Sequence, residues 1–315
     1  MSATLDAQAR DFLEAGRRAG VPPIHQLTVA EARKAGLSYL ALQRPVTEPI
    51  EVEHRFIGGP TAELPIRIYR PESATPGPTV LMLHGSGWVI CNLDVADRPA
   101  RRLAVDSGMT VVTVNYQKAP EHPYPAPLDD SYAALQWIAC DSGDLGFDRQ
   151  RIAVVGDSAG GNLAAALALR ARGQIPLAAQ ALLYPALDAR LSAPSYSLHS
   201  ANGISREDMA WFWGHYLSGG ADRADAEVSP LLARDLSGLP PAFIATASHD
   251  VLRDDGAEYA ARLRTAGVPV EHREYAGMIH GFFWMDAVLD RARELQLDLA
   301  RFLVATAAGR ASQLA

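Results

Sequence analysis

The sequence predicts an α/β protein in which a mostly parallel sheet is flanked by helices. Short, almost wholly apolar segments recur along the chain, as expected of strands that are buried on both faces. Helical patterns separate most of these segments, which is the element order of an α/β fold. With 315 residues, 48% of them apolar, the chain can bury a large core without help from metals or disulfides.

The first 45 or so residues are predicted to be helical and to lie outside the sheet. Apolar residues recur at near-helical spacing from Leu5 to Ala19, and a Val-Pro-Pro stretch then ends the pattern. Thr28 is a suitable N-cap for a second helix, because Glu31 follows three residues later. That helix is predicted to continue to about residue 42.

From residue 51 the pattern changes to strands. Alternating apolar and charged residues on either side of a Gly-Gly-Pro turn predict an antiparallel strand pair. The apolar strands are then predicted at residues 80–83, 110–114, 152–155, 180–183, 242–247 and 268–275. Helices are predicted at residues 95–107, 127–139, 159–172 and 254–266, with a last one from about 285 to 305.

One long interval, between Ala186 and Pro240, contains no convincing strand pattern. It carries the aromatic cluster Trp-Phe-Trp-Gly-His-Tyr at residues 211–216. Long insertions between sheet strands often carry function, for example as a lid over a site.

Charge and cysteine content exclude several classes of protein. The net charge is −7, with 29 Lys and Arg against 36 Asp and Glu, and no basic cluster stands out, so neither a nucleic-acid nor a membrane partner is expected. Cys91 and Cys140 are too few for a disulfide framework or a structural zinc site, and no metal or cofactor is implied. The first 20 residues do not resemble a secretory signal, so the expected location is cytoplasmic.

The strongest chemical signal is Gly-Asp-Ser-Ala-Gly at residues 156–160, a G-x-S-x-G sequence between a predicted strand and a predicted helix. A sharp strand-to-helix turn strains the serine and exposes its hydroxyl at the positive end of the helix dipole. The flanking glycines remove side chains that would collide there. The alternative, a glycine-rich turn with an incidental serine, does not explain this context. Ser158 is therefore the candidate nucleophile.

A serine nucleophile needs a base, and the base needs a group that orients it. Asp250 follows the predicted strand 242–247, at the sheet edge where active sites of α/β proteins gather. His280 lies in a Gly-Met-Ile-His-Gly-Phe loop before the last helix and is the candidate base. His249 is a rival, but neighbouring residues near a strand end tend to point apart. Asp254 and Asp255 are predicted to cap the following helix instead.

The other histidines follow no catalytic pattern and are predicted to be surface or structural residues; they are His25, His54, His122, His199, His215 and His272.

A third chemical element, Leu-His-Gly-Ser-Gly-Trp at residues 83–88, begins at the end of a predicted strand. Small residues there would let backbone N–H groups approach a carbonyl oxygen. Alone, this segment reads as a glycine turn. Beside the other three residues it is a candidate oxyanion loop.

These motifs together resemble those of the hormone-sensitive-lipase family of α/β-hydrolases, the bacterial carboxylesterases of the Gly-Asp-Ser-Ala-Gly branch. The resemblance runs from about Ile66 to Leu303. It includes the loop at 84–88, the nucleophile motif, the acid motif from Asp250, the His-Gly-Phe at 280–282 and an Asn-Tyr-Gln-Lys-Ala-Pro-Glu stretch at 115–121.

The resemblance implies an α/β-hydrolase fold with a helical cap. The cap would consist of residues 1–45 and 187–235, and the catalytic domain of residues 46–186 and 236–315. It also implies a triad of Ser158, Asp250 and His280, with oxyanion N–H groups from Ser86, Gly87 and Ala159.

Two departures from the family pattern affect expectations. Ser86 replaces the middle glycine of the loop; its backbone N–H can still serve, and its added hydroxyl could contact the substrate or water. Asn115 and Gln117 replace an Asp and an Arg, which weakens a structural ion pair rather than the chemistry.

The predicted function is hydrolysis of carboxylic esters through a covalent acyl-enzyme, and the resemblance implies acyl chains of short to medium length. An amidase or deacetylase would use the same triad. A ligand-binding protein on this fold is a further alternative, since gibberellin receptors resemble the family and have lost the histidine that is present here as His280.

The aromatic residues Trp88, Trp211, Trp213 and Tyr216 are candidates for the wall of a small-molecule ester pocket. Equally, the cap aromatics could simply pack onto the catalytic domain. The last predicted strand, at 268–275, should lie at a sheet edge, and a homodimer through that edge is possible because exposed edges invite pairing. Its proline and charged residues could equally guard the edge.

Overall fold

The computed structural model describes residues 4–72, 77–140 and 145–309. Residues 1–3 of the predicted cap segment, and residues 73–76, 141–144 and 310–315 of the predicted catalytic domain, lie outside the described residues. Among those described, one eight-stranded sheet forms the centre of the molecule. Its strands are β1 (Ile50–Gly58), β2 (Glu63–Pro71), β3 (Gly77–Leu83), β4 (Thr110–Val114), β5 (Phe147–Asp157), β6 (Leu177–Leu183), β7 (Ala242–His249) and β8 (Val270–Ile279).

The strand order is β1-β2-β4-β3-β5-β6-β7-β8. β1 and β2 form the predicted antiparallel pair, and β2 also runs antiparallel to β4. All remaining neighbours are parallel, so the predicted α/β class is confirmed. β8 is an edge strand, as the sequence predicted. Because parallel strands end at the same sheet edge, the loops after β3, β5, β7 and β8 gather on one side of the molecule.

Helices cover both faces of the sheet. They are α1 (Ala7–Arg18), α2 (Val29–Gly36), α3 (Leu93–Ser107), α4 (Ala126–Ala139), α5 (Ala159–Ala171), α6 (Ser195–Leu198), α7 (Arg206–Tyr216), α8 (Arg253–Thr265) and α9 (Asp290–Ala307). Alternate residues of β3 point to opposite faces, as the period of a strand requires. Val80 and Met82 pack in the core that α3 and α9 cover, whereas Leu81 and Leu83 pack in the core that α4, α5 and α8 cover.

Several element boundaries differ from the prediction. β5 begins five residues earlier than expected, because its first residues pair with the sheet although Arg149, Gln150 and Arg151 are exposed. β8 runs on to Ile279, which places His280 immediately after the strand. α9 begins at Asp290, because residues 282–284 form a buried 3-10 turn instead.

Two segments far apart in sequence lie against each other outside the sheet. α1 and α2 come from the first 45 residues, whereas α6 and α7 come from the interval between β6 and β7. A direct link is made by His25, whose backbone N–H donates to Asp208 Oδ1 over 2.9 Å and whose Nδ1 lies 2.7 Å from the same oxygen. None of the described helices is both long and apolar enough to cross a membrane.

Candidate active site

The turn between β5 and α5 holds Ser158 in a strained conformation. Its φ is +53° and its ψ is −119°, a backbone region that non-glycine residues rarely adopt. Glycine is required on both sides: a Cβ at Gly156 would overlap the carbonyl oxygen of Gly160, and a Cβ at Gly160 would overlap that of Leu83. The turn therefore raises the serine hydroxyl above the carboxyl edge of the sheet, at the N-terminus of α5.

Three side chains from three different strand ends meet there. Ser158 Oγ lies 2.9 Å from His280 Nε2, and His280 Nδ1 lies 2.8 Å from Asp250 Oδ2. The Asp250 side chain is fully buried, and its Oδ1 accepts a 2.9 Å hydrogen bond from the backbone N–H of Leu252. A carboxylate held in this way keeps the imidazole proton on Nδ1, which leaves Nε2 free to accept the serine proton.

The rival histidines lie elsewhere. His249 is the last residue of β7. Its Nδ1 lies 2.9 Å from Ser248 Oγ, and its ring contacts the ring of His199. His215, on α7, packs edge-on against Trp211 with the ring centroids 4.3 Å apart, and burial lowers its pKa. The structure thus brings His280, and neither of these two, to the serine.

The prediction that Asp254 and Asp255 cap α8 is wrong. Leu252 occupies the N-cap position, which has no side-chain hydrogen bond. Asp254 instead accepts from the backbone N–H of Ser195, and Asp255 accepts from the backbone N–H groups of Leu187 and Asp188. These buried N–H groups begin the insertion that follows β6, and a buried donor without an acceptor is costly. The two carboxylates therefore hold the start of the insertion.

The loop at residues 84–88 orients two backbone N–H groups. Ser86 O accepts from the N–H groups of Val89 (3.1 Å) and Ile90 (2.9 Å), so the planar peptide that joins residues 86 and 87 turns the N–H of Gly87 the opposite way. Gly85 O accepts from His84 Nδ1 over 3.2 Å, which orients the N–H of Ser86 similarly. Within the described part of the chain, neither of these N–H groups has a hydrogen-bond acceptor.

Ala159 can supply a third N–H, because it is the first residue of α5 and the first N–H groups of a helix have no intrahelical acceptor. The candidate donors Ser86, Gly87 and Ala159 thus flank Ser158 from two loops. A negatively charged oxygen in that position would receive several hydrogen bonds in a site that is largely shielded from water.

Asp157, whose role was not predicted from the sequence, links the turn that carries Ser158 to the loop at residues 84–88. Its Oδ1 accepts from the Gly85 N–H and its Oδ2 from Trp284 Nε1, both over 2.6 Å. The side chain is buried, and burial raises the pKa of its carboxyl to about 6. One feature of the sequence could have predicted this role: Asp157 is a lone carboxylate at the end of an apolar strand. A carboxylate buried there without hydrogen-bond partners would destabilise the fold, so partners are expected.

Tyr116 was also missed, although it follows directly on the buried strand β4. Its hydroxyl lies 2.7 Å from the carbonyl oxygen of His84 and 2.6 Å from Ser86 Oγ, and its ring stacks on that of His84 with centroids 4.6 Å apart. Burial lowers the pKa of His84 to about 3, so this ring is neutral. The contacts correct the expectation that the Ser86 hydroxyl contacts substrate or water, because it is buried against Tyr116.

The aromatic residues proposed for a pocket wall are mostly buried against one another. Trp88 stacks on Tyr216, with centroids 4.4 Å apart and planes inclined by 5°, and it contacts Trp213 at 4.2 Å. All three side chains lack exposed surface, which favours the packing alternative for them. Trp211 is half-buried on the neighbouring helix face. Phe212 meets the oxyanion loop directly, since a Cβ at Gly87 would overlap its ring.

Asn115 and Gln117, which depart from the family pattern, form hydrogen bonds with nearby residues where the family pattern would place an ion pair. Gln117 donates from its backbone N–H to Asp130 Oδ2 (2.8 Å) and from its amide to Thr61 Oγ1 (2.8 Å). Asn115 Oδ1 accepts from Lys118 Nζ over 2.9 Å, and burial lowers the pKa of Lys118 to about 8. Amide hydrogen bonds thus take the place of the ion pair that the family pattern would provide.

No group of three or more His, Cys, Asp or Glu side chains within the described ranges is arranged to hold a metal ion. The groups that the site offers are a serine hydroxyl, an oriented imidazole, a buried carboxylate and a set of free N–H groups.

Comparisons with known proteins identify the family to which the chain is similar. A family model of the alpha/beta hydrolase fold matches residues 80–284. The carboxylesterase NlhH of Mycobacterium tuberculosis is 42% identical over 273 residues, covering 84% of this chain and 85% of its own. An ethyl acetate hydrolase of Pseudomonas putida is 37% identical, covering 90% and 92%. The solved structure of an ester-hydrolase from the metagenome of Lake Arreo matches with a TM-score of 0.92 and 38% identity, covering 96% of this chain and 99% of that one.

Proposed function

The chain belongs to the α/β-hydrolase family, in its hormone-sensitive-lipase branch, and we propose that it hydrolyses carboxylic esters through Ser158, His280 and Asp250. It is a carboxylic ester hydrolase by its relationship to carboxylesterases over most of its length. The assignment of the three catalytic residues is supported by one observation above all. A strained serine, an imidazole and a buried carboxylate form a continuous line of hydrogen bonds at 2.9 and 2.8 Å.

In the acylation step, Ser158 Oγ attacks the ester carbonyl carbon while His280 Nε2 takes the serine proton. Asp250 keeps the ring oriented and stabilises the imidazolium that forms. The carbonyl oxygen becomes negatively charged, and the N–H groups of Ser86, Gly87 and Ala159 donate hydrogen bonds to it. The bond to the alcohol then breaks, and the alcohol leaves with the proton from His280.

In the deacylation step, water takes the place of the alcohol. His280 removes a proton from the water, whose oxygen attacks the acyl carbon of the Ser158 ester. The same three N–H groups stabilise the second negatively charged oxygen. Collapse of this intermediate releases the carboxylic acid and returns the proton to Ser158, so no cofactor is consumed.

The proposed substrates carry short to medium acyl chains. Supporting this, Phe212 lies against Gly87 beside the proposed oxyanion donors and limits the space there. The stacked rings of Trp88, Trp213 and Tyr216 join the second proposed cap segment, residues 187–235, to the catalytic domain. The hydrogen bond from the His25 N–H to Asp208 joins the first proposed cap segment, residues 1–45, to the second. Trp211, which is only half-buried, is the remaining candidate for direct contact with substrate.

A series of p-nitrophenyl esters from acetate to palmitate, assayed with wild type and Ser158→Ala, tests this function. We expect turnover to be highest for the short chains and to fall by at least about 10⁴-fold in the variant. Circular dichroism and thermal melting would establish that the variant is folded. Turnover by folded Ser158→Ala would contradict the assignment of the nucleophile.

The same assay with p-nitroacetanilide distinguishes an esterase from an amidase, because both would use this triad. An esterase would turn over p-nitrophenyl acetate far faster than the anilide. Equal or faster anilide hydrolysis would instead favour the amidase alternative. A folded wild-type protein that hydrolyses neither would favour the ligand-binding alternative.

Two further predictions concern the whole molecule. A homodimer through the edge strand 268–275 stays a prediction. Such a dimer would have to accommodate the charged groups of that strand, among them Arg273, which pairs with Glu271 on the same strand and with Asp298 on α9. Light scattering during size-exclusion chromatography would measure the mass. The cytoplasmic location also stays a prediction, which cell fractionation would test.

A further inference from the structure

Ser86 is the residue at which this chain departs from the glycine-rich loop of its family, and its hydroxyl is almost completely buried at 4% residue exposure. A buried hydroxyl needs partners, because an unpaired one destabilises the fold. Both of its hydrogen-bonding functions are used. Ser86 Oγ accepts from the N–H of Trp88 over 2.9 Å and lies 2.6 Å from the hydroxyl of Tyr116.

The direction of the hydrogen bond between Ser86 and Tyr116 follows from their other partners. Tyr116 has a single hydroxyl proton and lies 2.7 Å from the carbonyl oxygen of His84, which can only accept. Tyr116 therefore donates to His84, and Ser86 must donate to Tyr116. The result is one directed chain that runs from the N–H of Trp88 through Ser86 and Tyr116 to the carbonyl of His84.

This chain spans the part of the loop whose backbone is least favourable. Gly87 has a φ of +53° and Trp88 a φ of +59°, and a bulky side chain such as that of Trp88 rarely adopts a positive φ. The hydrogen bond from the Trp88 N–H to the serine two residues earlier holds this conformation. At the other end, Tyr116 and Asp157 bind the two ends of the peptide that joins His84 and Gly85.

We propose that the Ser86 hydroxyl, together with Tyr116, is a positioning group that fixes the direction of the oxyanion N–H groups of Ser86 and Gly87. This inference rests on the proposed ester hydrolysis. The physical reason is that the chain of hydrogen bonds is attached to the backbone at the His84 carbonyl and at the Trp88 N–H, and both oxyanion N–H groups lie between these two points. If either attachment is lost, the intervening peptide planes can rotate and turn the N–H groups away from the oxyanion. Since the negatively charged oxygen exists only in the transition state and intermediates, misdirected donors lower kcat and leave KM nearly unchanged.

A double-mutant cycle tests the proposal, using Ser86→Ala, Tyr116→Phe and the combination, with p-nitrophenyl acetate as substrate. We expect each single variant to lose roughly tenfold in kcat with KM within about twofold of wild type. Because both variants break the same hydrogen bond, the double variant should lose far less than the roughly hundredfold of independent effects. Ser86→Gly, the family residue, should lose at least as much as Ser86→Ala, since glycine adds backbone freedom.

A transition-state analogue provides the readout that a merely structural role would not change. The affinity of the folded variants for an alkyl trifluoromethyl ketone, which forms a tetrahedral adduct with the serine, should fall in parallel with kcat/KM. Ser131→Ala is the matched control, because its hydroxyl is equally buried but donates to Pro127 O on α4, over 2.7 Å. This control should melt slightly earlier and keep its kcat.

Three outcomes would overturn the proposal: a kcat for Ser86→Ala within twofold of wild type, single effects that multiply in the double variant, or analogue affinity that does not follow kcat/KM. If Ser86→Ala failed to fold, Tyr116→Phe would still test the proposal, because it removes the other partner of the same hydrogen bond. An unchanged kcat in that variant would overturn the proposal. Failure of the underlying function would look different, because wild type itself would then not hydrolyse the ester.

Discussion

The proposed oxyanion loop, residues 84–88, and α7 of the proposed cap meet at Gly87, but different forces hold them. Directed hydrogen bonds hold the loop: Asp157 accepts from the Gly85 N–H, 72 residues away in sequence, and Tyr116 donates to the carbonyl oxygen of His84, 32 residues away. α7 is held mainly by the aromatic stack of Trp88, Trp213 and Tyr216. Three polar atoms of that stack, both indole N–H groups and the Tyr216 hydroxyl, are buried with no hydrogen-bond partner among the described residues.

The difference shows how each region serves the site. Hydrogen bonds depend steeply on angle, so they can fix the direction of an N–H group. Aromatic stacking stabilises a position through buried area and tolerates small displacements. We therefore expect polar substitutions around the loop to reduce turnover, and substitutions in the cap to affect mainly stability and substrate binding.

Asp157→Asn should have the largest of these effects. The amide has one acceptor oxygen where the carboxylate has two, so either the Gly85 N–H or Trp284 Nε1 loses its acceptor. We expect kcat to fall about 10- to 100-fold, with a smaller change in KM, because in either case the link from the oxyanion loop through Asp157 to Trp284 is broken. Steady-state kinetics would measure this. Wild-type kcat in the variant would mean that the loop does not need Asp157.

The same variant should change the pH dependence of stability. The pKa of Asp157 is raised by burial from 3.8 to about 6, so between those pH values the folded protein holds a proton that the unfolded chain has lost. The free energy of unfolding therefore decreases, for this group, as pH rises through that window. Asp157→Asn removes this contribution. Urea denaturation of both proteins at several pH values would detect the difference in slope.

Asp208→Asn should have an intermediate effect and test how the cap is held. Asp208 completes the capping box of α7 with Ser205 and also accepts from the backbone of His25, which joins the two cap segments. Glu31→Gln is the matched control, since Glu31 completes the same motif with Thr28 at an exposed position of α2. We expect about 1–2 kcal/mol of destabilisation for Asp208→Asn and a clearly smaller destabilisation for Glu31→Gln.

Kinetics would separate the two roles further. If α7 positions substrate, Asp208→Asn should raise KM more than it lowers kcat, whereas Glu31→Gln should change neither. Equal destabilisation of the two variants in thermal melts would show that the contact between the cap segments contributes nothing beyond helix capping.

Tyr216→Phe should have the smallest effect, and its sign is informative. The buried Tyr216 hydroxyl has no partner among the described residues, so removing it relieves a desolvation cost while the stack with Trp88 remains. We expect a free energy of unfolding that is unchanged or up to about 1 kcal/mol higher, and unchanged kcat. A destabilisation well above this range would indicate that the hydroxyl has a polar partner.

The features that the sequence by itself determined are those that depend on residues close together in the chain. Apolar periodicity predicted the strands and helices, because apolar residues spaced two to four positions apart lie on the same face of a strand or helix and indicate that this face is buried. The strained turn at Ser158 was predictable for the same reason, since the G-x-S-x-G motif lies within five residues and a Cβ at Gly156 would collide with nearby Gly160. The need for glycine at position 160 also depends on the tertiary structure, because a Cβ there would overlap the carbonyl oxygen of Leu83 on β3. The order of serine, aspartate and histidine along the chain, each after a predicted strand, was also enough to select Asp250 and His280 as candidates.

Only the tertiary structure decided how distant groups pair. The cap prediction for Asp254 and Asp255 used local helix rules, whereas both carboxylates serve N–H groups about 60 or more residues away, at the start of the insertion. Asp157 meets Trp284 across 127 positions, and Ser86 meets Tyr116 across 30. A buried polar group takes whichever partner the packed fold brings within 3 Å, and no local spacing specifies that partner. For this reason the chemistry of the site was predictable from the sequence, but the contacts that orient its oxyanion donors were not.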